Sequence, residues 1–410
     1  MDTPSSASAK RPSALFLSPE PPYPMIGGGP LRSASLLEYL SRHFAVHAIV
    51  FHQHGDPDPA RALPPGIVEK LDLIQLPRHS KKILARGTRN ALRLVRNRPP
   101  LLDRFAGFES AISRLISGRE YDAAVLEHFW CAPYVHQIRR CTKRTILDLH
   151  NIESAWHRSL AGTESGSRAF ALRRFARASE ILERKWLPAF DYLLAASAHD
   201  ASALRAVVPG AHIVVYPNAL PEIPPPSRTE QHEIVFSGNL EYAPNIAAVR
   251  FFHHRIWTAL RSRWPDLVWK IVGKNPEGIR RIVEGDPRIH VTGYVEDAIA
   301  SLACAQVAVV PVLAGSGTRI KILEAWAAAT PVVSTTLGVE GLDSTDGMNI
   351  LLADDPGSFT ECISGLLSSP ERRAEIGGAG RKFFEERFTW PTAWRTLDSI
   401  FRNDVPGVSV

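Results

Sequence analysis

The run Val307-Ala-Val-Val-Pro-Val312 leads through Gly315-Ser-Gly-Thr into Arg319-Ile-Lys321-Ile-Leu-Glu324-Ala-Trp-Ala-Ala-Ala-Thr330, and then into Pro331-Val-Val. Its first part is short, apolar and rich in valine, which reads as a buried strand. The glycines that follow mark a turn, and the turn opens a helix that should reach about residue 329. Residues 331–335 read as the next strand. Strand, glycine loop, helix and strand form one unit of an open parallel α/β sheet.

The same unit recurs in both directions along the chain. Upstream, 233–236, 268–272 and 289–291 read as strands ending in Ser237-Gly238-Asn239, Gly273-Lys274 and Thr292-Gly293. A helix is expected over 247–260. Nearer the start, Ala14-Leu-Phe-Leu-Ser18 is a strand that enters the loop holding Gly27-Gly28-Gly29. A helix over 31–44 and a strand over 46–51 follow. Further strands are expected at 121–126, 144–148, 192–197 and 213–216, with helices over 168–190 and 198–207. Pro217-Asn-Ala-Leu-Pro-Glu-Ile-Pro-Pro-Pro-Ser227 is dense in proline and reads as a linker. The predicted fold is α/β: two Rossmann-like, doubly wound parallel-sheet domains facing a cleft. The expected divisions are a disordered tail at 1–12, a first domain at 13–220, a second at 221–388, and a terminal helix within 389–410.

A chain of 410 residues accommodates two such domains. The composition, 45% hydrophobic and 22% charged, excludes wholesale disorder, collagen and coiled coil. Cys131, Cys141, Cys304 and Cys362 are too scattered for a disulfide framework or a zinc finger, so reduced thiols are expected. No apolar run is long enough for a signal sequence or a membrane span. The net charge of +6 conceals two opposite halves. Through Leu220 there are 29 Lys+Arg against 19 Asp+Glu, net +10; beyond it there are 19 against 23, net −4. The first half should therefore meet something anionic.

The glycine loop at 315–318 combines free backbone N–H groups with the positive end of a helix dipole, which favours a phosphate. Arg319 and Lys321 add cations in the first turn, where they oppose that dipole unless an anion is bound. Glu324 lies three residues beyond Lys321 on the same helical face and could accept hydrogen bonds from two ribose hydroxyls. A P-loop is excluded, because no Gly-Lys-Ser/Thr occurs at the required spacing. The dinucleotide fingerprint fails at the first turn: Gly27 and Gly29 are in place, but position 32 is Arg.

These residues, together with Asp148-Leu-His150-Asn151-Ile-Glu153, Ser197-Ala-His-Asp200, Val215-Tyr-Pro-Asn218, Phe236-Ser-Gly238-Asn239 and Val291-Thr-Gly-Tyr-Val-Glu-Asp297, resemble glycosyltransferase family 4 (glycosyl transferases group 1). That family comprises retaining GT-B enzymes, and the likeness is to members that build bacterial surface polysaccharides. The resemblance implies a metal-independent transferase with no cofactor and a nucleotide diphosphate sugar, of UDP or GDP type, as co-substrate. It implies donor binding by Gly238, Asn239, Lys274, Gly315, Ser316, Gly317, Thr318 and Glu324, with Glu324 on the ribose. Arg319 and Lys321 would stabilise the leaving diphosphate, and His150 would face the donor sugar from the first domain. The Gly27-Gly28-Gly29 loop would face acceptor or phosphate across the cleft. The family's first glutamate of a pair spaced by seven falls on Ser316, a departure. The usual Arg and Lys after the first strand of the second domain are missing as well. The terminal helix, 390–402, would cross back to the first domain.

Two features stand beside this motif set. His128, in Glu127-His-Phe-Trp130, fits a loop role or a site role equally. The segment 78–98 carries eight Lys+Arg, no carboxylate, and Ile83, Leu84, Ala91, Leu92 and Val95 at near-helical spacing. A basic amphipathic segment can lie on anionic lipid; a solvated basic face over an ordinary core stripe fits the spacing equally. Aromatics for base stacking are absent from it, which argues against nucleic acid. The expected protein is a cytoplasmic transferase, peripheral on the inner face of the membrane, with a glycan or lipid-linked acceptor. A nucleotide-sugar epimerase or a non-catalytic GT-B module are the alternatives; the Ser316 departure admits the latter.

Overall fold

The computed structural model describes residues 11–78, 82–227, 229–314 and 319–401. Two sheets organise the chain. The first holds β1 (Ser13–Ser18), β2 (Ala45–Gln53), β3 (Lys70–Leu76), β4 (Ala123–Glu127), β5 (Thr145–Leu149), β6 (Tyr192–Ala195) and β7 (Ile213–Val215). The second holds β8 (Gln231–Ser237), β9 (Val268–Val272), β10 (Ile289–Gly293), β11 (Ala305–Val310), β12 (Val332–Ser334) and β13 (Leu351–Leu352). Their orders are β3-β2-β1-β4-β5-β6-β7 and β10-β9-β8-β11-β12-β13. Every pairing within them is parallel. The expected α/β, doubly wound, two-sheet architecture is present, and both sheets are wound the same way. Buried parallel strands must be apolar on both faces, which is why β1, β4, β8 and β11 are so readable in the sequence.

In each sheet the winding reverses between the first and fourth strands. Loops there diverge to opposite faces and leave a crevice at the carboxyl ends. In the first domain these are the loops after β1 and β4. In the second they follow β8 and β11.

The helix Trp390–Phe401 packs on the first domain's Gly28–His43 helix. Trp394, buried, donates from Nε1 to the Ser35 backbone O at 3.1 Å, while Arg42 lies over its ring at 4.2 Å. The Tyr39 hydroxyl lies 2.9 Å from Asp398, and Phe401 contacts Phe44 edge to face. At the linker, Leu220 N donates to Phe388 O and Trp390 N donates to Leu220 O, at 2.9 and 2.8 Å. One hydrophobic core therefore runs from one face of the first sheet, through these two helices, into the second domain; a second core covers the other face of the first sheet.

Three readings need correction. The helix expected over 247–260 is Ala243–Phe252 followed by a wide π turn, His253–Trp257, and then Thr258–Arg263. The π turn adds a residue per turn; Ile256 and Trp257 are both buried, and Trp257 Nε1 reaches Asp286 at 2.8 Å. The long helix expected over 168–190 is Gly166–Trp186 with a separate short turn, Leu187–Ala189, where Pro188 ends the ladder. The edge strands β3 and β13 and the helices Pro356–Ser368 and Pro370–Arg387 had no counterpart in the sequence reading.

Trp394→Ala should lower unfolding free energy by about 3–5 kcal/mol, the usual cost of emptying a buried tryptophan site. A denaturant midpoint equal to the wild type would refute its role as a strap between the domains.

Candidate active site

The first domain contributes a buried ionic cluster at the strand ends. Arg32, the fifth residue of the Gly28–His43 helix, donates from Nε and Nη2 to both oxygens of Asp148, at 2.8 and 2.5 Å. Its Nη1 donates to the Tyr216 O at 2.7 Å and to Asn218 Oδ1 at 2.9 Å. Asp148 and Glu127 sit opposite each other in the β4–β5 register. His150 Nε2 lies 2.6 Å from Glu127 Oε2, which also accepts from Ser33 Oγ at 2.6 Å. Burial alone would push Asp148 up, but the Arg32 guanidinium and His150 outweigh it and hold the carboxylate below its usual range. Burial and then the Asp148 charge raise Glu127. Burial depresses His150, yet hydrogen bonds and charges from Asp148 and Glu127 dominate and leave its pKa at about 9. His150 is therefore an imidazolium near neutrality.

Glu127, Asp148 and His150 bring ligand-type atoms within 4.8 Å of one another. No spacing in the sequence announces this trio. The guanidinium of Arg32 already supplies the cation there, taking both Asp148 oxygens.

The glycine loop of the first domain lies against the second. Gly27 has φ +102°, open to glycine but strained for other residues. A Cβ on Gly28 would meet Ile320 Cγ1 at 3.2 Å, and one on Gly27 would lie 3.9 Å from Lys274 Nζ. Lys274 Nζ in turn donates to the Ile26 O at 3.4 Å, from one domain to the other. The amino ends of two helices, Gly28–His43 and Ile320–Ala327, thus converge on one place.

The second domain supplies the other wall. Lys321 Nζ donates to Asn245 Oδ1 at 2.9 Å and stands 4.0 Å over the Phe236 ring. Burial, then the nearby Arg319 charge, push its pKa down to about 7, while Glu324 opposes the shift. Burial raises Glu324, although Lys321 and a hydrogen bond from Ser237 pull it back. Arg319 is the N-cap residue of its helix, and burial lowers its pKa against the charges of Glu340 and of Asp200 from the first domain. Gly238, at φ +150°, lets Lys321 pass, since a Cβ there would lie 3.0 Å from Nζ. Asn239 has its side chain committed to the turn, accepting from Asn275 Nδ2 at 3.0 Å and Glu241 N at 3.1 Å. A cavity of about 190 Å³ is lined by Gly27, Gly238, Asn239, Lys274, Tyr294 and Glu324, among others. It joins the glycine loop of one domain to the carboxylate helix of the other. Gly315, Ser316, Gly317 and Thr318 lie outside the described residues.

The fold brings His150, Gly27, Gly28, Gly29, Lys274, Arg319, Lys321 and Glu324 to one cleft. Arg32, Ser33, Glu127 and Asp148 were not read as a cluster. The one available signal was the arginine that breaks the fingerprint at position 32.

Away from the cleft, Ile83–Val95 is a helix, with His79, Ser80 and Lys81 of the basic segment outside the described residues. Leu84 is 85% exposed, Val95 79% and Leu92 50%. These residues do not form a core stripe. The neighbouring Gly166–Trp186 helix exposes Phe170 and Ile181, and its Arg174 Nη2 donates to Asn97 Oδ1 at 2.7 Å. Among the described residues no helix is long and apolar enough to cross a membrane.

Comparison with known proteins adds the following. Residues 231–369 match the family model Glycosyl transferases group 1. An uncharacterized 44.6 kDa protein in the cps region of Klebsiella pneumoniae is 21% identical over 72% of this chain and 77% of its own length. A GDP-mannose-dependent monoacylated alpha-(1-6)-phosphatidylinositol monomannoside mannosyltransferase of Corynebacterium glutamicum is 29% identical over 34% of this chain and 40% of its own. Sucrose-phosphate synthase of Thermosynechococcus elongatus superposes with a TM-score of 0.72 at 17% identity, covering 95% of this chain and 98% of that one. HepE of Anabaena, in complex with UDP, superposes with a TM-score of 0.63 at 13% identity, covering 95% and 99%. The fold is GT-B.

Stability should carry the signature of His150. Its pKa is higher folded than unfolded, so its contribution is complete below about pH 6.5 and is lost as pH rises through about 9. The stability difference between wild type and His150→Gln should therefore shrink across that window. A difference that stays constant or grows from pH 6.5 to 9 would refute the imidazolium assignment.

Proposed function

We propose that this GT-B glycosyltransferase, whose second domain matches the group 1 family, moves a sugar from a nucleotide diphosphate sugar to a glycan or lipid-linked acceptor, retaining the anomeric configuration. Cell-surface polysaccharide synthesis is the setting, which the cps-region relative supports. The donor is of UDP or GDP type; relatives and neighbours include a GDP-mannose-dependent enzyme and a protein solved with UDP.

One observation carries this reading: Lys274 and Glu324 line a cavity between two helix N-termini, Lys321 stands beside its Gly238 wall, and the Arg319 charge lies close enough to depress Lys321. A diphosphate satisfies the donors and the dipoles together. Glu324 suits the ribose, because a carboxylate accepts hydrogen bonds from two hydroxyls. When the anomeric C–O bond breaks, its electron pair passes to the β-phosphate oxygen. Donors fixed at that point lower the barrier, each worth roughly 3–4 kcal/mol. A lysine with a pKa near 7 takes up its proton more firmly as the diphosphate binds, so charge is supplied when it is needed. His150 adds positive charge from the first-domain side, where the donor sugar would lie.

The exposed apolar residues of Ile83–Val95, with the exposed cations that flank the helix, Lys82, Arg96 and Arg98, suit an anionic membrane. Leu84, Leu92 and Val95 supply apolar area, and the arginines around them supply attraction to anionic headgroups.

Lys321→Ala and Glu324→Ala should each reduce turnover at least about tenfold, a loss of ~1.4 kcal/mol. Wild-type turnover in both would sink the donor-site assignment. In vesicle flotation, the full chain should bind phosphatidylglycerol-containing vesicles better than pure phosphatidylcholine. Leu84→Asp combined with Val95→Asp should abolish the difference. Equal binding to both vesicle types by the wild type would remove the membrane face.

A further inference from the structure

Glu20 and His128 occupy the crevice where the first sheet's winding reverses, and the donor site does not use them. Glu20 follows β1 and His128 follows β4, the two strands flanking the reversal. Open α/β sheets bind ligands in that crevice. The Glu20 side chain is 41% exposed, and its Oε1 lies 3.8 Å from His128 Nε2. That distance is too long for a direct hydrogen bond. His128 Nε2 is buried, and among the described residues it has no hydrogen-bond partner. A buried ring nitrogen left so is costly unless something else satisfies it.

The imidazole is also held in place. His128 adopts φ 60°, ψ 147°, a sparsely populated conformation for a residue with a Cβ. Its ring is stacked between Trp130, at 4.2 Å, and His150, at 3.5 Å. Strain of this kind persists where the surroundings impose it, and it concentrates at binding sites. Burial, then the charges of His150 and Arg32, keep His128 well below its ordinary pKa, so the ring is neutral and does not ion-pair with Glu20. Gly29 completes the crevice: any Cβ there would fall 2.5 Å from Glu20 Oε1 and 3.9 Å from His128 Nε2.

We propose that Glu20 and His128 form the acceptor subsite, receiving one hydroxyl of an uncharged sugar acceptor between the carboxylate and the ring nitrogen. An oxygen about 2.8 Å from each partner closes the 3.8 Å gap. The hydroxyl donates to Glu20 and accepts from the Nε2–H of the neutral imidazole. Neither residue lines the cavity that holds Glu324, which separates this subsite from the nucleotide's. The glycine loop lies between the two. The assignment rests on the transferase reading above and names its acceptor chemistry and the residues that select it.

The test uses the full-length wild type, Glu20→Gln and His128→Asn; Glu20 lies outside the positive-φ turn, so its variant tests the subsite even where His128→Asn disturbs that turn. Each is given the UDP- or GDP-sugar that the wild type hydrolyses, with and without the methyl glycosides of glucose, mannose and galactose. At least one glycoside should divert wild-type product from free sugar to disaccharide. Both variants should lose that diversion at least about tenfold, while nucleotide-induced thermal shift and hydrolysis stay within about twofold. Wild-type partition in either variant overturns the proposal. So does failure of every glycoside to divert the wild type. A wild type that neither binds nor hydrolyses any nucleotide sugar refutes the transferase reading itself, and the subsite falls with it.

Discussion

The paired hydrogen bonds between Arg32 and Asp148 hold the first domain's half of the cleft in register. Both groups are buried, and a bidentate guanidinium–carboxylate pair is the geometry that best offsets the cost of burying them. Arg32 lies near the start of the helix that the glycine loop opens, so the pair ties that loop to the end of β5. The remaining nitrogen of Arg32 ties the same point to Tyr216 and Asn218, where the chain leaves the first domain. Asp148 also lies 3.3 Å from His150 Nε2, so the charge that anchors the loop also helps keep the imidazole protonated. Loop, linker and histidine are positioned by one guanidinium. Removing either partner would strand a buried charge, whose cost exceeds the net worth of the pair.

This arrangement gives the charge asymmetry a spatial meaning. The acidic second half does not by its net charge exclude an anionic ligand, because Lys274, Arg319 and Lys321 stand close to its Ile320–Ala327 helix N-terminus. The basic excess of the first half is densest over 78–98, around the Ile83–Val95 helix and away from the cleft. Bulk charge and site charge act at different places, and at physiological ionic strength bulk charge is screened within about 8 Å.

The sheets were legible because buried parallel strands leave unbroken apolar runs, as in Val307-Ala-Val-Val and Ala14-Leu-Phe-Leu. The edge strands were not. Lys70–Leu76 mixes half-buried and exposed positions, and Leu351–Leu352 is too short to leave a pattern. Glu324, Lys321 and Arg319 were legible because one helix carries them all. Arg32 read as a broken fingerprint, since its partner Asp148 is 116 residues away. The pairing of Glu127 with His150 depends on β4 and β5 being neighbours, which single-strand patterns do not encode. The π turn at His253–Trp257 escaped for a related reason: Ile256 and Trp257 are apolar in either winding, and only tertiary burial selects the wider one.

The two sheets have the same winding, and each places its crevice at the reversal between its first and fourth strands. Duplicating that geometry face to face sets two crevices on opposite sides of one cleft. Each crevice has its own helix N-terminus, that of Gly28–His43 in the first domain and of Ile320–Ala327 in the second. The contacts across the cleft make them a single site: Lys274 reaches the glycine loop, Ile320 packs on Gly28, and Trp156 Nε1 donates to the Tyr242 hydroxyl at 3.2 Å. Two of these contacts are polar and one, Ile320 on Gly28, is apolar. The strap formed by Trp390–Phe401 lies away from that mouth, on the Gly28–His43 helix. The two domains are thus tied at the back by the terminal helix and at the front by the Lys274, Ile320 and Trp156 contacts, which fix the two helix N-termini against each other across the cleft.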